Sequence, residues 1–312
     1  MHPNSVHSQT APSQMEAHVT ADDEIGYQEI RYEVADPVAT ITLNRPAVLN
    51  AWTDRMGFEV RHAVSQAESD PSVVGIVITG AGRGFCAGAD MTRLSAIISG
   101  DLSSEAETGD LASDPGDPTF GDDLHLGTYT YLMSVPKPVI AAINGPVAGM
   151  GVPIVLACDL RFMAEDAILM TAFAQRGLVA EWGISWMLPR LAGPAVALDL
   201  LFSSRKISGT EAAKMGVVNA ALPQAEVLQH AQQYVRDLAA TSSPASMAIM
   251  KRQVYQQMHA GMLAAEREAR TLMIESFGRN DFREGVASFT QRRAPRFERL
   301  PSRATGAQPE SA

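Results

Sequence analysis

Apolar residues along this chain follow two rhythms. In the first half, short apolar runs that suit strands alternate with stretches at helical spacing; in the second half helical spacing dominates. VATITL (38–43) alternates well enough for a strand, and NRP breaks it. From Thr53 to Ala67, residues Met56, Val60, Ala63, Val64 and Ala67 recur on one helical face. SDPS (69–72) turns the chain into VVGIVITG (73–80), a continuous β-branched run that suits a buried strand. PVIAAI (138–143) is a second such run. VPIVLACDL (152–160) predicts a buried helix with a proline near its first turn, where the missing N–H costs little. AILMTA (167–172) suits another strand.

Further helices are predicted from near Met91, over 124–134, and at about 184–202, 209–215, 224–240, 244–256, 262–278 and 282–291. SGTE (208–211) and DFRE (281–284) have the spacing of capping boxes, and Ser243-Pro244 reads as an N-cap followed by an N1 proline. Alternating strands and helices followed by helices alone imply an α/β core with a helical C-terminal segment. The expected divisions are a polar, disordered tail over 1–25, a core over 26–205, a helical segment over 206–300 and a flexible end over 301–312. Within the core, residues 99–123 are rich in Gly, Asp, Ser and Pro and read as a mobile insertion.

Composition narrows the function. Of 312 residues 46% are hydrophobic and 19% charged, with a net charge of −10, which argues against nucleic acid as the main partner. Two cysteines, Cys86 and Cys158, lie far apart and outside any metal-type cluster, so neither a disulfide framework nor a metal site is expected. They read as small core residues, and a cytoplasmic setting fits. No apolar run is long enough to span a bilayer, and the N-terminal stretch lacks the apolar centre of a secretory signal; no membrane partner is expected.

Two glycine-rich turns each follow a buried strand and precede a helix: AGRGFCAGADM after 73–80 and NGPVAGMGVP after 138–143. Such turns either permit tight bends or aim backbone N–H groups at one oxygen, as in an oxyanion hole. Neither is GxGxxG, and the P-loop, the GxSxG elbow and the HExxH metal motif do not occur. In LVAEWGISW (178–186), the carboxylate of Glu181 stands in nearly apolar company near Trp182 and Trp186. It is either a desolvated base or an outward or helix-capping acid.

LNRPAVLNAW, GRGFCAGADM, PKPVIAAINGPVAGMGVPIVLACDLRF, ISGTEAAKMGVVNAALP and FREGVASFTQRR occur in that order. Together they resemble the crotonase (enoyl-CoA hydratase/isomerase) superfamily from about Tyr27 to Leu300. The resemblance implies a spiral of ββα units with a C-terminal helical trimerisation segment, assembled as a homotrimer or hexamer. It implies an acyl-CoA thioester substrate, with no cofactor beyond the CoA that the substrate carries. The oxyanion donors it implies are the N–H groups of Ala89 and Met150.

It further implies a CoA pocket lined by Ala47, Leu49, Ala87, Asp90 and Met91. Gly149 is a further substrate-binding candidate, and Phe173, Trp182 and Trp186 either wall the acyl pocket or pack in the core. Family members often carry a lysine where Ala47 stands; Arg45, Arg292 and Arg293 are candidates for that phosphate contact. The two glutamates that position water in the hydratases correspond here to Pro153 and Phe173, which can neither donate nor accept the proton. Glu181 occupies a position where the resemblance places an acid in dienoyl-CoA isomerases and an aromatic-CoA dehalogenase.

His125 is a lesser catalytic candidate, and Asp159 reads as a structural partner. Double-bond isomerisation is therefore expected ahead of hydrolysis, dehalogenation or C–C cleavage of an aromatic or branched acyl-CoA. Acyl-CoA binding without catalysis comes last.

Overall fold

The computed structural model describes residues 26–91, 95, 99, 115–120, 122–125 and 127–302. The tail over 1–25, most of the insertion over 99–123 and nearly all of the end over 301–312 lie outside the described residues. Met91 and Ser95 have helical backbone, as expected for a helix starting there.

Among the described residues, six strands form the main sheet in the order β1 (Ile30–Ala35), β2 (Val38–Leu43), β3 (Gly75–Gly80), β4 (Val139–Ile143), β6 (Leu160–Ala164) and β9 (Ala220–Leu222). β1 is antiparallel to β2, and every other neighbouring pair is parallel. Strands β2, β3 and β4 are buried along their whole length, which is why they read as continuous apolar runs. A smaller sheet joins β5 (Val147–Ala148), β7 (Ile168–Met170) and β8 (Ile207–Ser208).

The helices are α1 (Asp54–Ser69), α2 (Asp122–His125), α3 (Tyr131–Ser134), α4 (Gly151–Ala157), α5 (Ile184–Ala192) and α6 (Pro194–Ser203). They continue with α7 (Gly209–Lys214), α8 (Val227–Thr241), α9 (Pro244–Gln257), α10 (Met262–Ser276) and α11 (Asn280–Gln291). The apolar face of α1 buries Met56, Val60, Ala63, Val64 and Ala67, the positions its spacing marks. Thr53 caps it, accepting the Met56 N–H at 3.0 Å.

Several expectations change. The predicted helix over 152–160 ends at Ala157, and Leu160 already belongs to β6. The Asp159 carboxylate accepts the Val139 N–H at 2.7 Å, the Tyr255 hydroxyl at 2.9 Å and the Lys251 ammonium at 2.7 Å, so it is a structural partner that ties α9 to the sheet. The helix expected over 184–202 is two helices, broken at Gly193-Pro194. The stretch 124–134 is split between α2 and α3. Strands β1 and β9 are absent from the hydrophobic rhythm.

Of the predicted caps, Ser208 and Ser243 act as expected, accepting the N–H of Glu211 and of Ser246, each at 3.1 Å. Asp281 does not cap: α11 starts one residue before it, and its carboxylate accepts the Ser243 hydroxyl instead. Lys137 is fully buried and donates to the Ala67 and Asp70 carbonyls at the end of α1, at 2.8 and 2.7 Å. Burial lowers its pKa to about 8. No described helix is long and apolar enough to cross a membrane.

Candidate active site

The two glycine-rich turns lie against each other. Residues 49–52 run beside 87–90: Ala87 N–H donates to Leu49 O at 3.0 Å, Trp52 N–H to Gly88 O at 2.7 Å and Asp90 N–H to Trp52 O at 2.9 Å. This is a parallel bridge between Trp52 and Ala89. Its bonds use the neighbours of Ala89, so the N–H of Ala89 itself points away from Trp52. A second bridge pairs Cys86 with Val147, and Gly149 N–H donates to Met170 O at 3.1 Å.

A Cβ on Gly88 would stand 3.2 Å from the Ala148 carbonyl, and one on Gly149 would stand 3.6 Å from the Gly88 Cα. The turns thus meet backbone to backbone one residue before Ala89 and Met150. Among the described residues, no acceptor takes the N–H of Ala89 or of Met150. Two unspent donors on touching turns have the arrangement that an oxyanion needs.

Asn50 was not singled out from the sequence, yet it builds the first turn. Fully buried, it donates to the carbonyls of Ala81 at 3.0 Å and Gly84 at 2.9 Å, and accepts the Arg45 N–H at 2.8 Å. Arg45 adds a clamp: its guanidinium reaches the Ala51 carbonyl at 2.6 Å, the Asp90 carboxylate at 2.9 Å and Glu29 at 3.3 Å. Asp90, expected at the substrate, therefore also fastens the residue next to Ala89. Ala47 is exposed in a 3-10 turn (Pro46–Val48), Leu49 is half-buried, and Ala87 and Met91 are exposed. The Cys86 thiol is buried and pushed up to about 11, and that of Cys158 to about 12, so neither is poised as a nucleophile.

Glu181 is half-buried, and among the described residues its carboxylate has neither a hydrogen bond nor an ion pair. It does not cap α5, whose first turn begins after Gly183 without a side-chain cap. Its neighbour Trp182 has φ +56, a left-handed backbone uncommon for a bulky residue. The Trp182 ring lies edge-on to Tyr129, centroids 5.6 Å apart, and Tyr129 lies edge-on to Trp52 at 5.7 Å. The turn bearing Glu181 thus rests, through three rings, on the residue bridged to Ala89.

Trp186 is elsewhere, stacked between His259 at 5.4 Å and the Arg190 guanidinium at 4.0 Å. Phe173 is only 4% exposed and sits after Ala172, another left-handed non-glycine at φ +64. His125 lies beside Gly116 and Ser134, and Gly116 N–H donates to Glu68 in the last turn of α1, whereas Trp52 precedes the first. The structure therefore does not bring His125 to Ala89. Its Nδ1 is buried with no partner among the described residues. Arg293 is held by Glu284 at 2.5 and 2.7 Å, and Arg292 ends α11 in a left-handed conformation. Among the described residues no cluster of three or more His, Cys, Asp or Glu could hold a metal.

The enoyl-CoA hydratase/isomerase family profile matches residues 33–300, which contain both turns and Glu181. The chain belongs to the enoyl-CoA hydratase/isomerase family. A probable enoyl-CoA hydratase of Rhodobacter capsulatus is 34% identical, covering 88% of this chain and 99% of its own. The 1,2-epoxyphenylacetyl-CoA isomerase of Escherichia coli is 32% identical, covering 83% and 94%. A probable enoyl-CoA hydratase/isomerase from Mycobacterium abscessus has a similar structure, with a TM-score of 0.72 at 30% identity, covering 87% of this chain and 99% of its own. The protein is thus an acyl-CoA enzyme with the crotonase fold.

Proposed function

We propose that the enzyme shifts a double bond in an acyl-CoA thioester. Glu181 removes a proton from C2, the N–H groups of Ala89 and Met150 hold the enolate oxygen, and Glu181 or a water returns the proton at C4. The observation that carries this reading is the half-buried carboxylate of Glu181, unpartnered among the described residues, on a left-handed turn joined by rings to the Ala89 strand. A 1,3-shift needs one acid, whereas hydration by this family uses two, and Pro153 and Phe173 occupy those positions. Both are buried side chains that carry no proton. The E. coli relative is named for isomerising an epoxyphenylacetyl-CoA, which is isomerase chemistry on an aromatic acyl-CoA and not a double-bond shift.

The test is turnover of matched 3-enoyl-CoA and 2-enoyl-CoA thioesters. Conversion of the first that collapses in Glu181→Gln supports the reading. Hydration of the second at ordinary rates, unchanged in that variant, refutes it.

The row Trp52, Tyr129, Trp182 favours a second reading, in which Glu181 serves as base or nucleophile on an aromatic or branched acyl group. Of the three rings, Trp182 is 38% exposed and presents an aromatic face. A mass adduct on Glu181 after such a thioester is added distinguishes a nucleophile from a base. Exposed apolar residues on the C-terminal helices, Met262 at 82% and Phe289 at 87%, support assembly as a homotrimer or hexamer, which light scattering in solution measures.

A further inference from the structure

We infer that His259, just past the end of α9, is a positioning residue that holds the turn bearing Glu181 through the indole of Trp186. The catalytic consequence rests on the reading above, in which Glu181 moves the proton. The turn itself has little to hold it. Among the described residues, no backbone N–H from Val179 to Gly183 donates a hydrogen bond. Trp182 and Gly183 are both exposed and both left-handed, at φ +56 and +78. The backbone bonds that do reach the turn come from the start of α5. Ile184 N–H donates to Glu181 O at 3.1 Å, and the N–H groups of Trp186 and Met187 donate to Gly183 O at 3.0 Å each. The Glu181 backbone therefore follows the first turn of α5.

That first turn is weakly joined to the rest of its helix. Pro189 lies inside α5 and has no N–H for the Ser185 carbonyl four residues back. A grip on Trp186 from outside α5 therefore matters. The His259 ring stacks on the half-buried indole, with centroids 5.4 Å apart and planes at 19°. The Arg190 guanidinium also lies 4.0 Å from the Trp186 ring centre, but Arg190 belongs to α5 and cannot fix α5 against the rest of the chain. His259 can. It follows α9, in which Lys251 donates to the Leu132 carbonyl of α3 at 2.9 Å and pairs with Asp159 at 2.7 Å. α9 thus reaches from α3, which directly follows Tyr129 and Thr130, to α5, which directly follows the Glu181 turn. His259 is itself exposed, so core packing does not impose its parallel stack on the indole.

The experiment compares wild type, His259→Ala and His259→Phe by amide hydrogen exchange and by steady-state kinetics on a 3-enoyl-CoA thioester. His259→Ala is expected to speed exchange of the Ile184, Trp186 and Met187 amides roughly three- to tenfold, with Tm nearly unchanged. Its kcat should fall by a similar factor while KM holds. His259→Phe, which restores a flat ring on the indole, should recover most of both losses.

Unchanged exchange at these three amides in His259→Ala, or a phenylalanine variant no better than the alanine one, would overturn the inference. The exchange measurement decides His259 even if the wild-type protein does not turn over the thioester. Faster exchange with kcat unmoved supports the hold on the turn and counts against Glu181 as the base, so the two failures are read apart.

Discussion

The ring of Tyr129 meets that of Trp182 edge-on, with centroids 5.6 Å apart and planes at 72°. On its other side Tyr129 meets Trp52 at 77°. Trp52 is bridged to Ala89 and Trp182 follows Glu181, so Tyr129 sets the spacing between the proposed acid and the proposed oxyanion donors.

That arrangement predicts a catalytic loss without unfolding. Tyr129→Leu keeps the side chain apolar, though smaller, and removes both edge contacts, each worth about 0.5–1.5 kcal/mol. It should lower kcat by about three- to tenfold and leave KM nearly unchanged. Steady-state kinetics and far-UV circular dichroism on the same sample check both parts.

Removal of the carboxylate itself should cost far more. Glu181→Gln is nearly isosteric, and general acid–base catalysis contributes about 10²–10⁴-fold. With the carboxylate unpartnered among the described residues, no ion pair is broken, so Tm should hold while kcat falls at least about 100-fold. A parallel fall in Tm would mark Glu181 as structural.

Much of this arrangement was legible in the sequence where its cause is local. The apolar face of α1, the buried runs of β3 and β4 and the caps at Ser208 and Ser243 depend on residues a few positions apart. Strand β1 was not legible, because only Ile30 of its six residues is buried and no apolar rhythm results. Asp281 misled for a related reason: a capping spacing says nothing about Ser243, 38 residues away, which takes the carboxylate. At the site, glycine positions marked both turns, and an acid in apolar company marked Glu181. Asn50 escaped, and Arg45 was marked only as a phosphate contact, because the bonds of both to carbonyls and carboxylates arise only where the folded chain brings these groups near.

Lys137 predicts a pH dependence of stability. Burial lowers its pKa to about 8, against about 10.4 in an unfolded chain. Above pH 8 the unfolded chain holds a proton that the folded chain has lost, so stability rises with pH. From about pH 9 the buried thiols oppose this. Cys86 and Cys158 keep their protons in the folded state up to about 11 and 12, while the unfolded thiols ionise earlier. Stability should therefore peak near pH 9. Lys137→Met should abolish the rise between pH 8 and 9, as read from urea midpoints.

The two meeting glycines predict unequal outcomes for the same substitution. Gly149 has φ +48, close to the left-handed helical region, and a Cβ there finds its nearest neighbour at 3.6 Å, an ordinary contact. Gly149→Ala should cost about 1 kcal/mol of backbone strain and little activity. Gly88 has φ +106, outside the region that side chains tolerate, and a Cβ there comes within 3.2 Å of the Ala148 carbonyl. Either residue 88 must leave its conformation, which swings the Ala89 N–H, or the Ala148 carbonyl must retreat, which moves Met150. Both movements misaim an oxyanion donor, and one lost donor costs about 10²–10³-fold in rate. Gly88→Ala should therefore lose at least about 100-fold in kcat while Gly149→Ala stays within a few fold. Equal losses would mean that the two turns do not share one oxyanion.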